Sequence, residues 1–187
     1  SGEPLDNFDN VIKFIEILNA QEGLCIGERH ITLSTCGLID KIYELADKNL
    51  QITLAVSLHA SNDEIRKKIM PISNKHNLDD IIIACKYYAN KTKRRVTYEY
   101  ALIDGINDNQ DYAEELSRKL KNSLCHVNLI PINEVKEKNY KRSADNKVEL
   151  FFNVLHKNGI KATIRRKLGS DINAACGQLR NNKLNEK

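Results

Sequence analysis

The stretch that decides the fold is "ITLAVSLHASNDEIRKKIMPISNKHNLDDIIIACKYYANKTKRRVTYEYALI", residues 52 to 103. It opens and closes with β-branched runs, at 52–58 and 95–103, that are typical of buried strands. Between them the apolar spacing predicts two helices, at 62–69 and 79–91, separated by Pro71. A strand, a helical crossover and a second strand make a βαβ unit. The segment therefore predicts neighbouring parallel strands.

The same alternation continues in both directions along the chain. Further strands are predicted at 30–35, 126–132 and 160–166, and further helices at 7–21, 38–49, 108–122 and 144–159, the last ending at Asn158-Gly159. Two architectures accept this order, a doubly wound open sheet and part of a β/α barrel.

Polar residues at the strand ends favour the barrel. The exits of the predicted strands carry Ser34 and Thr35, Ser57 and His59, residues 99–104, Asn128 and Asn133, and Arg165 and Arg166. In barrels this rim carries the chemistry. No G-x-G-x-x-G follows any predicted strand, which removes the main support for a dinucleotide-binding sheet. We therefore predict an α/β fold, a truncated partial barrel of about five mainly parallel strands with helical crossovers.

Length and composition indicate one ordinary domain. The 187 residues are 41% hydrophobic and 29% charged, which is typical of a soluble globular chain. The five cysteines form an odd number with no C-x-x-C spacing, and we expect reduced thiols in a cytoplasmic protein. No apolar run reaches the roughly 20 residues of a membrane span, and no signal peptide is visible.

The first and last segments raise two expectations. The loop "SGEPLDNFDN", with Asp6 or Asn7 as N-cap, leads into a helix without a strand before it, so we expect a fragment whose exposed sheet edge promotes self-association. Residues 161–187 carry seven basic and two acidic side chains. A solvated face and a polyanion contact both remain open for this basic end.

Four residues have an ordinary and a functional interpretation. Glu3 is either a surface acid or an acceptor for a cation, and His59 is either a satisfied core histidine or helix cap or a ligand contact. Asn133 is either a turn residue or a ligand contact. Cys176 lies among small residues in "DINAACGQL". It is either an inert buried cysteine or a thiol whose reactive form is favoured by Arg165, Arg166 and Lys167.

Six ordered motifs resemble one family. They are "GEPLDN" (2–7), "LSTCG" (33–37), "AVSLHA" (55–60), "RVTYEYALIDGIND" (95–108), "VNLIPIN" (127–133) and "TIRRKLGSDINAACGQL" (163–179). Together they resemble the RlmN/Cfr family of radical S-adenosylmethionine enzymes, which methylate adenine in ribosomal RNA and, in RlmN types, also in transfer RNA. The resemblance implies a radical S-adenosylmethionine (β/α)6 type of barrel. Residues 1–158 would form the partial barrel, and 159–187 its last strand, cysteine segment and basic tail.

The resemblance also implies a cofactor site. Gly2 and Glu3 would bind the amino group of S-adenosylmethionine. Ser34 and Ser57, Leu58 and His59 would contact its ribose and carboxylate, and Asn133 would bond it from a later strand end. Cys176 would take a methyl group from one cofactor molecule. A second molecule, cleaved at a [4Fe-4S] cluster, would give the deoxyadenosyl radical that activates this methyl for transfer to adenine, and a second cysteine would release the product.

The cluster ligands, the second cysteine and a catalytic carboxylate lie upstream of the G-E-P motif in this family. We therefore expect no metal site and no activity in the fragment, whereas the full-length parent would hold the cluster and need an electron donor. The expected partners are 23S rRNA and possibly tRNA, with carbon 2 of adenine favoured over carbon 8. The candidates for RNA contact are Tyr140, Arg142, Arg165, Arg166, Lys167 and Arg180. The alternatives are a Cfr-like carbon-8 methyltransferase, a non-catalytic RNA-binding partial barrel, and a thiol-nucleophile enzyme without a cluster.

Overall fold

Five parallel strands form a single sheet in the computed structural model, which describes residues 2–133 and 140–165. The strands are β1 (Thr32–Thr35), β2 (Thr53–Ser57), β3 (Val96–Leu102), β4 (Cys125–Pro131) and β5 (Ala162–Ile164). The helices are α1 (Phe8–Asn19), α2 (Ile39–Asp47), α3 (Asp63–Ile69), α4 (Leu78–Thr92), α5 (Gln110–Leu120) and α6 (Asp145–Lys157). Short 3-10 turns cover Pro4–Asn7, Glu28–His30 and Pro71–Asn74.

The strand order in space is the order in sequence, β1-β2-β3-β4-β5, and every pairing is parallel. Each crossover therefore moves the chain one strand in the same direction. A doubly wound sheet would reverse this order at its switch point. The predicted α/β fold, a partial barrel of about five mainly parallel strands with helical crossovers, is confirmed, and within the described residues β1 and β5 each pair on one side only.

The core lies between the sheet and its helices. Along β3 the side chains of Val96, Tyr98, Tyr100 and Leu102 are buried, and the residues between them are half-buried. The same alternation holds on β4. Because successive strand residues point to opposite faces, one face of the sheet packs against the helices. The opposite face carries shorter or more polar side chains, and we call it the polar face.

Asparagines fix the starts of three crossover helices. Asn62, Asn77 and Asn109 each accept a hydrogen bond from the backbone N–H three residues later, at the first turns of α3, α4 and α5. Such caps satisfy donors that a helix leaves free. The predicted break at Pro71 is confirmed by the 3-10 turn between α3 and α4.

The ends of α1 and α6 differ in how well the sequence predicted them. Asn7 occupies the N-cap position of α1, but its side chain makes no capping hydrogen bond. Glu3 instead caps the preceding 3-10 turn. Asn158 and Gly159 end α6 as predicted, since Gly159 has φ +77°, a value that glycine adopts without steric cost. No helix in the described part of the chain combines the length and apolar character needed to cross a bilayer.

Candidate cofactor site

A cavity of about 280 Å³ opens where the carboxyl ends of β1 and β2 meet the start of the chain. Its lining consists of Gly2, Glu3, Pro4, Ser34, Thr35, Cys36 and Ser57. Four of the residues singled out in the sequence, Gly2, Glu3, Ser34 and Ser57, are therefore brought together. The position agrees with the rule that parallel sheets place ligands beyond the carboxyl ends of their strands.

Glu3 is held rigidly on the wall of this cavity. Its Oε1 accepts a hydrogen bond from the Leu5 backbone N–H at 3.0 Å, and its Oε2 accepts one from the Cys36 N–H at 2.7 Å. These bonds tie the start of the chain to the end of β1. Each carboxylate oxygen has a second lone pair, so Glu3 retains the capacity to accept hydrogen bonds from an ammonium group.

Leu58 and His59 are placed differently from the four lining residues. The Leu58 side chain is fully buried in the core, and the backbone N–H groups of both residues donate to the Glu99 carbonyl at 3.0 and 3.1 Å. The His59 Nδ1 accepts from the Ala101 N–H at 3.0 Å. Burial, and secondarily the Arg66 charge, lowers the pKa of His59 to about 4.

His59 is therefore a neutral imidazole with its proton on Nε2, because Nδ1 serves as an acceptor. It bridges β2 and β3 from a left-handed backbone conformation with φ +58°. The hydrogen bond to Nδ1 favours the interpretation of His59 as a satisfied core histidine. Asn133, half-buried just beyond β4, is not among the residues that line the cavity. The cofactor roles of both residues remain predictions.

A buried arginine that sequence reasoning missed lies behind the cavity. Arg66 has no exposed surface, and its guanidinium donates to the carbonyl oxygens of two strand ends. Its acceptors are the carbonyls of Cys36 (2.7 Å), Ser57 (3.2 Å), Leu58 (3.2 Å) and His76 (3.5 Å) and the Ser73 hydroxyl (3.1 Å). Burial lowers the pKa of Arg66. Since Cys36 and Ser57 both line the cavity, Arg66 fixes the separation of its walls.

Asn107 is a second residue whose role the sequence did not reveal, although it lies in the motif at 95–108. It is fully buried. Its Nδ2 donates to the carbonyls of His59 (2.8 Å) and Ala101 (2.6 Å), and its Oδ1 accepts from the Ile103 N–H at 2.8 Å. Three bonds from one side chain fix the loop after β3 against the end of β2. No spacing in the sequence reveals these partners.

Three thiols of the described residues, those of Cys36, Cys85 and Cys125, are poor nucleophiles. Cys36 lines the cavity, where burial and the neighbouring Glu3 carboxylate raise its pKa to about 12. Burial raises the pKa of Cys85 to about 12 and that of Cys125 to about 11. A thiol attacks as the thiolate, so these groups are unreactive near neutral pH. Cys176 lies outside the described residues.

The predicted RNA contacts fall in two places. The Tyr140 hydroxyl donates to the Lys68 carbonyl at 3.3 Å, and Arg142 pairs with Asp145 at 3.1 Å beside the loop after β3. Arg165 is exposed directly after β5, and its backbone N–H donates to the Leu129 carbonyl. The predicted contacts Arg166, Lys167 and Arg180 lie outside the described residues.

The fold and this cavity agree with what the chain is similar to. The family model of the radical SAM superfamily matches residues 1–120. The chain belongs to the radical S-adenosylmethionine superfamily.

Its relatives narrow the class. The chain is 61% identical over 180 residues to a probable dual-specificity RNA methyltransferase RlmN of Clostridium botulinum, covering 96% of this chain and 52% of the relative. It is 59% identical over 187 residues to the protein of the same name from Clostridium perfringens, covering 100% and 54%. The chain thus spans about half the length of the curated relatives it matches.

Solved structures give the same picture. A radical SAM methyltransferase from Sphaerobacter thermophilus superimposes with a TM-score of 0.90 at 45% identity, covering 95% of this chain and 52% of that one. A domain of pyruvate-formate lyase-activating enzyme from Bacteroides vulgatus matches with a TM-score of 0.68 at 16% identity, covering 89% and 96%. The second likeness supports the fold alone.

Superfamily membership implies S-adenosylmethionine and a [4Fe-4S] cluster. The described residues fit S-adenosylmethionine but offer no ligand set for the cluster. The cavity offers a carboxylate and two serine hydroxyls, which match the ammonium, carboxylate and hydroxyl groups of S-adenosylmethionine. Across residues 2–133 and 140–165 no three His, Cys, Asp or Glu side chains come together as a metal site. We derive no step through a cluster from these residues.

Proposed function

We propose that this chain is part of an enzyme that methylates carbon 2 of an adenine in 23S rRNA and in tRNA. The observation that carries the proposal is the cavity that brings Gly2, Glu3, Ser34 and Ser57 together at the carboxyl ends of β1 and β2. The similarity to proteins named dual-specificity RNA methyltransferase RlmN supports the substrate class. The enzyme would work in the cytoplasm, where its RNA substrates lie.

Glu3 is the proposed anchor of the cofactor. Its carboxylate is already oriented by two backbone N–H groups, so it accepts the ammonium of the methionine part without reorganising. Ser34 and Ser57 supply hydroxyls from the ends of adjacent strands for the cofactor carboxylate and sugar. When bound, S-adenosylmethionine supplies the methyl group and the radical chemistry, with an electron donor outside this chain.

Cys176 is the proposed carrier of the methyl group. The proposal rests on the resemblance of "DINAACGQL" to the family motif and on the small side chains on both sides of the thiol in the sequence. The thiols of the described residues other than Cys25 have pKa values raised by burial, which disfavours them as carriers.

The RNA would be held by its phosphates. Tyr140 and Arg142 lie between β4 and α6, and Arg165 directly follows β5, so all three lie beyond the carboxyl ends of strands, where the cavity also opens. Arg166, Lys167 and Arg180 extend this proposal beyond the described residues. Contacts of this kind position RNA without reading its sequence and weaken with salt.

The test uses the full-length protein, reconstituted with iron and sulfide and given S-adenosylmethionine, a reductant and purified RNA. Mass spectrometry of the digested nucleosides should show 2-methyladenosine in both ribosomal and transfer RNA. Accumulation of 8-methyladenosine would instead support the Cfr-like alternative. RNA binding without any methylated adenine would refute the proposed activity and favour a non-catalytic binding module.

A second arm tests Cys176. Intact-protein and peptide mass spectrometry should find one added methyl group on Cys176 of the reconstituted protein, and the Cys176→Ala variant should form no methyladenosine. Methylated RNA produced by Cys176→Ala would remove this residue from the mechanism.

A further inference from the structure

The polar face carries a row of polar side chains, of which only the first lines the cofactor cavity. Ser57 on β2 is in register with Glu99 on β3, Glu99 with Asn128 on β4, and Asn128 with Thr163 on β5. Register partners in a sheet present their side chains on the same face. We call these four residues the polar row. Its first member, Ser57, also lines the cofactor cavity, so the row begins at the cofactor and runs away from it.

The polar row is organised by a directed chain of hydrogen bonds. Asn128 Nδ2 donates to Glu99 Oε2 at 2.9 Å, and Asn128 Oδ1 accepts from the Thr163 hydroxyl at 3.4 Å. The Thr163 oxygen in turn lies 2.9 Å from Nε2 of His126. Since the hydroxyl donates to Asn128, it accepts from the His126 N–H. Each group fixes the orientation of the next, and the chain ends on the Glu99 carboxylate.

Glu99 is left with one oriented acceptor. Within the described residues, its Oε1 receives no hydrogen bond, whereas Oε2 is bound by Asn128. The side chain is half-buried, and this burial raises the pKa of Glu99, with Asn128 and Arg165 opposing the shift. A half-buried carboxylate on an open face is suited to a ligand that donates N–H or O–H.

The position of the row suits a base of the substrate. The cofactor cavity lies at β1 and β2, and the row continues from Ser57 at its wall across β3 and β4 to β5. Enzymes that modify a base inside folded RNA take it out of its stack and read its edge by hydrogen bonds. Adenine presents an exocyclic amine at that edge, which is a hydrogen-bond donor.

We propose that Glu99, held by Asn128 and Thr163, recognises the target adenine by accepting a hydrogen bond from its exocyclic amine. This assignment rests on the proposed function, methylation of an adenine in RNA. Substitution of Glu99 should therefore weaken RNA binding and methylation only when the target base carries the exocyclic amine. Glu99→Gln keeps the shape of the side chain and removes its charge, so it tests the acceptor with little change in packing.

The experiment pairs two proteins with two RNAs. Full-length wild type and Glu99→Gln are given a substrate RNA with adenosine, or with purine riboside that lacks the amine, at the target position. Binding is followed by fluorescence anisotropy and methylation by mass spectrometry. Glu64→Gln is the matched control, because it makes the same chemical change on an exposed side chain of α3, paired with Lys68.

With the adenosine RNA, Glu99→Gln should lower kcat/KM by about 10- to 100-fold, as expected for a hydrogen bond to a charged group. With the purine riboside RNA, wild type and Glu99→Gln should be equal, and Glu64→Gln should match wild type throughout. An equal loss on both RNAs would overturn the proposal. If wild type methylates no adenine, the proposed function fails first, so the two failures are distinguishable.

The adenine of S-adenosylmethionine carries the same exocyclic amine and is therefore the alternative ligand of Glu99. Calorimetric titration of S-adenosylmethionine into full-length Glu99→Gln should give the wild-type dissociation constant. A dissociation constant raised tenfold or more, with RNA binding unchanged, would assign Glu99 to the cofactor and overturn the proposal.

Discussion

Replacing Arg66 by methionine should destabilise the protein severely. The guanidinium is fully buried and donates to four carbonyl oxygens and one hydroxyl that come from β1, β2 and the turn after α3. Methionine fills a similar volume without donating to any of them. The loss follows from polar acceptors left without a donor at the junction of two strands, not from lost apolar contact.

The expected loss in the free energy of unfolding follows from two opposing contributions, the hydrogen bonds of Arg66 and the desolvation of its charge. A hydrogen bond to a charged group contributes about 1.5–3 kcal/mol, while the desolvation of a buried charge costs several kcal/mol. Breaking a buried charged network by removing one partner typically costs about 3–5 kcal/mol, and we expect Arg66→Met to fall in this range. Arg66→Lys should recover little of it, because an ammonium is a compact point charge that does not reproduce the planar fork of donors.

Urea unfolding of the full-length protein, followed by far-UV circular dichroism, measures the change. The slope of small proteins is about 1–3 kcal/mol per molar urea, so a loss of about 3–5 kcal/mol should lower the midpoint of Arg66→Met by about 1–5 M. Arg118→Met, at an exposed position on α5, is the control and should leave the midpoint within error. A loss below about 1 kcal/mol for Arg66→Met would refute the role assigned to these bonds.

Two further predictions concern titration. Iodoacetamide at pH 7.5 should modify the exposed Cys25 well before Cys36 or Cys85, because the pKa of each of the latter two is raised to about 12; peptide mass spectrometry showing Cys36 alkylated as fast as Cys25 would contradict this. Because the pKa of His59 is lowered from 6.5 to about 4, the unfolded chain binds a proton between these pH values that the folded chain does not. The free energy of unfolding should therefore fall as the pH drops from 6.5 towards 4, and His59→Gln should flatten that decline; an unchanged pH profile would contradict it.

The sequence predicted the strands and their order because the signals are local. The β-branched runs at 52–58 and 95–103 predicted β2 and β3 to within one residue at each end. The last strand is shorter than predicted, Ala162–Ile164 instead of 160–166. Within the described residues, β4 pairs with it through Val127, Asn128 and Leu129, and the described residues 160, 161 and 165 lie outside the strand.

The site was predictable only in part. The motif resemblance assigned three polar residues at loop and strand ends, Glu3, Ser34 and Ser57, to one site. All three line the same cavity in the structure. Arg66 gave no such signal, because it begins the basic run 66–68 and reads as part of a solvated helix face. Its burial depends on carbonyl oxygens from two strands, which is a tertiary arrangement.

The hydrogen-bond partner of Glu99 was also not predictable from the sequence. The position of Glu99 at the end of a predicted strand marked it as a rim residue, but its partner could not be read from the sequence. The pair with Asn128 depends on the register between β3 and β4. A shift of one residue would have placed the two side chains on opposite faces.

The assignment of the cavity to the cofactor is tested most directly by calorimetric measurement of S-adenosylmethionine binding to the reconstituted full-length protein. Glu3→Gln removes the carboxylate charge at the cavity wall, and Glu64→Gln makes the same change at an exposed site. We expect Glu3→Gln to raise the dissociation constant at least about tenfold, because one charge-assisted hydrogen bond is lost. Glu64→Gln should leave the dissociation constant unchanged. Equal dissociation constants for Glu3→Gln and wild type would contradict the assignment of this cavity to the cofactor.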